Sequence, residues 1–149
     1  MTAALIVTGA VLTFVAVAGL ARQRYAVVTV HGVSMKPTLR EGDRLLVRRT
    51  PLHRVRKGQI VVVKRPVPAG RPMPIRLPEH ERWLIKRAAA LPGEPVPPEV
   101  TPAVVGTGTH VPDDHLVVLG DNAGASVDSR TYGYIHGERL LGVVVRPLR

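Results

Sequence analysis

The string GVSMKPTLREGDRLLV, Gly32 to Val47, sets Ser34 after a glycine-permitted bend, with Pro37 fixing the chain just beyond it. A hydroxyl placed there attacks a carbonyl only where a base takes its proton. Without one it is an ordinary turn serine. WLIKRAAALPGE, Trp83 to Glu94, offers a base: Lys86, set among Leu84, Ile85, Ala88 and Ala89. On a strand, period two puts Leu84, Lys86 and Ala88 on one face and Arg87 on the other, so Lys86 points inward while Arg87 stays in solvent. A lysine in water has a pKa of ~10.4 and is protonated near neutrality; burial disfavours the charged form and lowers it by up to several units. A fall of about three units costs about 4 kcal/mol, which packing must supply. The rival is a snorkelling lysine whose stem alone is buried.

A third segment, GDNAGASVDSRTYG from Gly120 to Gly133, follows the apolar run LVVL. Its Gly, Asp, Asn and Ser are turn formers. Asp128 and Arg130 are opposite charges two residues apart and can pair locally, and Ser126 and Ser129 are hydroxyls able to orient an amine.

The elements that must position these groups are short strands. Apolar runs at Tyr25 to Val30, Arg44 to Arg49, Gln59 to Lys64, Trp83 to Ala90, His115 to Leu119 and Leu140 to Arg146 alternate with Gly and Pro punctuation. That spacing predicts an all-β, antiparallel, barrel-like body. With 45% hydrophobic but only 3% aromatic residues, Val, Leu, Ile and Ala must build the core, which again favours strands. Pro66 to Pro78 and Pro92 to Pro102 cannot be central strands, because proline lacks the ladder donor. They are expected as surface loops or as an insertion at the rim of a cleft. No internal repeat is visible.

Ala3 to Ala21 holds no charged residue and as a helix would span ~28 Å, close to the ~30 Å hydrocarbon core. It predicts a retained transmembrane anchor at 3–21 ahead of a catalytic domain at 25–149. A removable signal peptide is the rival, since Ala16-Val17-Ala18 offers small residues, but no basic n-region precedes the run and it is long for an h-region. Arg22 and Arg24 follow the anchor, and the positive-inside rule alone would leave the body in the cytoplasm.

The net charge of +10 suits either nucleic acid or anionic lipid headgroups. The basic residues are scattered, the longest cluster being Arg44 to Arg56, and no aromatics interleave for base stacking. With an apolar anchor adjacent, the lipid bilayer is the expected partner and nucleic acid is not. Cysteine is absent, which removes disulfides, thiolate metal sites and a Cys nucleophile. The histidines show no tight pairing such as HExxH, so neither a metal nor another cofactor is expected.

In order, and across nearly the whole chain, SMKPTL, GDRLLV, KRAAALPGE and GDNAGASVDSRTYG behind an N-terminal anchor resemble the type I signal peptidases. The combination is far more specific than any part. The resemblance implies a Ser–Lys dyad, with Ser34 as nucleophile and Lys86 as general base. It also implies Ser126 as the hydroxyl that holds the lysine, Asp128 and Arg130 as a structural ion pair, and the Ser34 backbone N–H as an oxyanion donor. Some members add a serine hydroxyl two residues before the nucleophile, where this chain has Gly32, so that donor is excluded. The stretch from Lys86 to Gly120 is too short for the large inserted domain of some signal peptidases, so the chain resembles a minimal member.

The expected function is removal of signal or leader peptides from exported precursors, at the cell membrane, by a single-pass protein with its catalytic domain on the extracytoplasmic face. That side conflicts with the placement of Arg22 and Arg24. One alternative is a dedicated maturation peptidase for a single precursor, such as nickel superoxide dismutase or a secreted peptide. A self-cleaving Ser–Lys regulator is the other, though such a protein normally carries a DNA-binding module for which there is no room here.

Overall fold

The structure, a computed structural model, describes residues 22–66 and 78–148 together with Gly19. The expected anchor, Ala3 to Ala21, otherwise lies outside the described residues, as does most of the first proline-rich stretch. Among the described residues no helix is long and apolar enough to cross a membrane.

Among the described residues seven strands form one antiparallel sheet: β1 (Tyr25–Thr29), β2 (Arg44–Arg49), β3 (Ile60–Lys64), β4 (Trp83–Ala90), β5 (His115–Leu119), β6 (Ile135–His136) and β7 (Leu140–Leu148). Their order is β1-β2-β7-β3-β4-β5-β6, and the sheet curls into a half-barrel. Six of these were expected with boundaries shifted by at most two residues. The two-residue β6 was not, because a bridge so short leaves no periodic pattern. A four-residue helix, α1 (Ser129–Tyr132), and several short 3-10 turns follow among the described residues, and residues 22–24, just ahead of β1, are helical as well.

β3 shows why the sheet holds together. Its run IVVVK is flanked by β7 and β4, and Val61, Val62 and Val63 are all fully buried. A continuous apolar run is what a strand covered on both faces requires. Val61 and Val63 join Leu84, Ala88, Leu116, Val118, Ile135 and Val143 in one core. Val62 joins Val30, Met35, Leu39, Leu45, Val47 and Ile85 in the other.

The second core roots the loop that follows β1. Met35 and Leu39, on either side of Pro37, are both almost completely buried, each contributing about 1.5–3 kcal/mol of apolar burial. The second proline-rich stretch proves to be more than a surface loop. Val100, Val104 and Val111 bury against Ala90 and Val117 in a satellite core, and Pro95 bridges to His110.

Candidate active site

Where β1 ends, Val30 N–H donates to Asp43 O at 2.8 Å and Gly42 N–H to Val30 O at 2.9 Å, closing an arch over the intervening loop. Gly32, at φ 85°, turns the chain in a conformation that side chains rarely adopt. Lys36 N–H bonds to Val33 O and Leu39 N–H to Met35 O, and the Lys36–Pro37 peptide bond is cis. Ser34 stands half-buried in this turn. Its own N–H has no acceptor among the described residues.

Lys86 comes from the middle of β4, opposite Val61. It is 3% exposed, so the whole side chain is buried and does not snorkel. Its Nζ lies 2.5 Å from Ser34 Oγ. Burial pushes the amine down from 10.5 to about 8; the Asp128 carboxylate pulls it back up, while Arg65 and then Arg130 push it further down. A lysine near 8 is substantially neutral at mildly alkaline pH, and a neutral amine accepts a proton from a hydroxyl.

The segment after β5 brings the remaining expected residues together around one carboxylate. Asp128 is fully buried. Oδ2 accepts from Gly120 N–H at 2.8 Å, Ser126 Oγ at 2.6 Å and Arg130 Nη2 at 2.6 Å, and Oδ1 accepts from Arg130 N–H at 3.1 Å and Nε at 3.0 Å. Burial alone would raise the Asp128 pKa, but the bonds from Arg130, Ser126 and Gly120 outweigh it and hold the group at about 2. Ser126 therefore gives its proton to Asp128, and among the described residues its hydroxyl makes no hydrogen bond to Lys86. Ser129 Oγ accepts from Val118 N–H at 3.0 Å in a wholly buried position, fixing α1 to β5.

Gly120 is where these pieces meet. A Cβ there would lie 2.1 Å from Ser126 Oγ and 2.7 Å from the Ser34 carbonyl oxygen. Only a residue without a side chain lets the turn pass between them.

A second network was missed in the sequence. Asp121 receives Arg87 Nε at 2.8 Å on Oδ1 and Arg87 Nη2 at 2.6 Å on Oδ2, and Thr38 Oγ1 donates to Oδ2 at 2.5 Å. Asn122 donates its N–H to Ser34 O at 2.9 Å and its Nδ2–H to Val33 O at 3.2 Å. Together they clamp the Ser34 turn to the segment that carries Asp128. The expectation that Arg87 stays in solvent holds in part: it faces away from Lys86 and its side chain keeps 35% exposure, but Asp121 and the Gly58 carbonyl, at 2.7 Å, hold its guanidinium.

Ser34 and Lys86 open onto a cleft of about 440 Å³, walled on one side by Val27 to Met35 and on the other by Trp83 to Ile85 with Arg65. Among the described residues β1 is an edge strand, and an edge strand offers its outer backbone for pairing.

The chain matches the family described as Signal peptidase, peptidase S26, over residues 2–100 and 97–148. It is 32% identical to the probable signal peptidase I-2 of Synechocystis sp. over 95% of this chain and 67% of that protein. It is 35% identical to mitochondrial inner membrane protease subunit 1 of Xenopus tropicalis, over 72% of this chain and 59% of the relative. With the signal peptidase I of Leptolyngbya laminosa it shares 32% identity over 75% of this chain and 63% of the relative. The chain therefore spans about two thirds of the length of these relatives. Fold and comparisons together define a hydrolase, a serine peptidase on an all-β body. The chain belongs to the signal peptidase family.

Proposed function

We propose that this chain is a membrane-anchored endopeptidase that removes signal or leader peptides from exported precursor proteins, using Ser34 and Lys86 as its dyad. The observation that carries the assignment is the 2.5 Å approach of Lys86 Nζ to Ser34 Oγ at the floor of the cleft. Neutral Lys86 takes the Ser34 proton as Oγ attacks the scissile carbonyl, the protonated Lys86 then gives that proton to the substrate's leaving nitrogen as the C–N bond breaks, and the acyl-enzyme is hydrolysed by a water that Lys86 activates. The uncommitted Ser34 N–H supplies one oxyanion donor. Asp128 and Arg130 hold the segment that packs against the dyad, and Ser126 joins them through Asp128.

An extended substrate lies along the free edge of β1 by strand addition. Val27, Val28, Val30, Val33, Val127 and Ile85 line the cleft, and Trp83 is the one Phe, Tyr or Trp among the described residues that do, which favours small apolar side chains at the cleavage site. The anchor at Ala3 to Ala21 keeps the cleft near the bilayer, on the extracytoplasmic face of the cell membrane.

The detergent-solubilised protein, incubated with a panel of secretory precursors, should release mature proteins whose new N-termini follow an Ala-x-Ala-like sequence, and Ser34→Ala should release none. Cleavage by Ser34→Ala would exclude this dyad. Equal cleavage of an Ala-x-Ala peptide and its Phe-substituted counterpart would exclude the small pocket.

A further inference from the structure

Three arginines surround the dyad or its strand, and two of them are fully engaged. Arg87 and Arg130 each place two nitrogens of the guanidinium on a carboxylate, Asp121 and Asp128 respectively. Arg65 is different. Its backbone is pinned, with N–H donating to Arg82 O at 2.7 Å and the carbonyl accepting from Arg139 Nη1 at 3.1 Å. Its guanidinium has no hydrogen-bond or ion-pair partner among the described residues, and its Nε is buried without one. Glu81 lines the same cleft, yet the two form no ion pair. A guanidinium cannot shed its proton to relieve this.

The position of Arg65 follows from register. Val61 pairs with Lys86 and Val63 with Leu84, so Val61, Val63 and Arg65 share the face on which Lys86 points. At ~3.3 Å per residue, Arg65 starts ~13 Å along the strand from Lys86. Its long side chain shortens that gap enough for its charge to bear on the Lys86 amine. An extended peptide advances at the same rise, so a residue two to four places from the scissile bond comes within reach. The fork of N–H groups on a guanidinium matches the two oxygens of a carboxylate, whereas a single backbone carbonyl uses one of them.

We propose that Arg65 is a specificity-determining residue: its guanidinium receives an Asp or Glu side chain of the substrate, two to four residues from the bond cleaved. This rests on the peptidase function proposed above. The site reads charge where the apolar walls of the cleft read size, so the substrates preferred are extended segments with small residues at the bond and one acidic side chain nearby.

The test uses the full chain in detergent and Ala-x-Ala peptides carrying Glu, Gln or Ala in turn at each of the four positions on either side of the bond. Rates are taken at pH 10, to limit the effect of the Arg65 charge on Lys86. At one position the Glu peptide should exceed the Gln peptide about tenfold in kcat/KM, the scale of one charge-assisted contact, and the ratio should fall as salt is added. In Arg65→Gln the ratio should drop to about one, and Arg65→Lys, which keeps the charge but loses the fork, should fall between.

A ratio near one at every position in the unmutated protein, or the same ratio in Arg65→Gln, overturns the assignment; continued cleavage of the neutral peptide leaves the peptidase function standing. Binding of the same peptides to Ser34→Ala, followed by fluorescence anisotropy, separates the two ideas if no peptide is cut. A Glu preference that Arg65→Gln removes then keeps the Arg65 site and sinks the peptidase assignment. Absence of that preference sinks the Arg65 site.

Discussion

Lys86→Met should inactivate the protein and stabilise it, and both effects come from the same buried amine. In the fold the Lys86 pKa is about 8 against 10.5 for the free side chain, so the folded state binds this proton less tightly than the unfolded state. The corresponding penalty is fully present below pH 8, is relieved as pH rises from 8 to 10.5, and is gone above. At about 1.4 kcal/mol for each tenfold change in the protonation equilibrium, the penalty at pH 7 is about 3 kcal/mol. Methionine has a similar length and no charge to desolvate, so it removes the penalty with little repacking.

The expected gain is therefore about 3 kcal/mol at pH 7, roughly 10 °C in Tm for a domain of this size, and under about 1 kcal/mol at pH 10. Thermal unfolding of both proteins in detergent at the two pH values measures it. The catalytic side appears in the unmutated enzyme, where the acid limb of log(kcat/KM) should bend near pH 8, leaving activity about a hundredfold below its plateau at pH 6. An acid limb near 10.5, a Lys86→Met protein less stable than its parent at pH 7, or a gain equal at both pH values would refute the reasoning.

Lys86→Arg should be as inactive as Lys86→Met, because a guanidinium stays protonated and cannot accept the Ser34 proton; measurable turnover of a verified substrate would remove Lys86 as base. Ser126→Ala takes one donor from Asp128, leaving that carboxylate less compensated and better able to hold a proton on Lys86, so the acid limb should move to higher pH. Ser129→Ala should leave the limb in place and instead lower stability by about 1–3 kcal/mol, since Val118 N–H loses its buried acceptor; the opposite pattern would exchange the two roles. Gly120→Ala should abolish cleavage even where the protein still folds, because its Cβ would collide with Ser126 and the Ser34 backbone, and full activity in that variant would show the turn to be adaptable.

The strands were legible because the signals that make them are local. The Val61–Val63 run needs two covered faces wherever it sits, and the alternation around Lys86 sends it inward whatever lies across from it. Sheet order carries no such signal. β7 enters between β2 and β3, which closes the half-barrel from the far end of the chain.

The same limit explains Arg87. Period two assigned it the correct face, but whether that face is solvent depends on Asp121, brought against it from beyond β5. Asp121 and Asn122 read as turn formers in sequence, and they do form the turn. Their second role exists only because β4 and β5 pair and carry the Gly120 turn up to the Ser34 loop. A residue whose type suits a turn hides any contact it makes across the fold. Arg65 shows the converse, since a guanidinium without a carboxylate partner among the described residues, beside two that have one, becomes informative only when the three environments are compared.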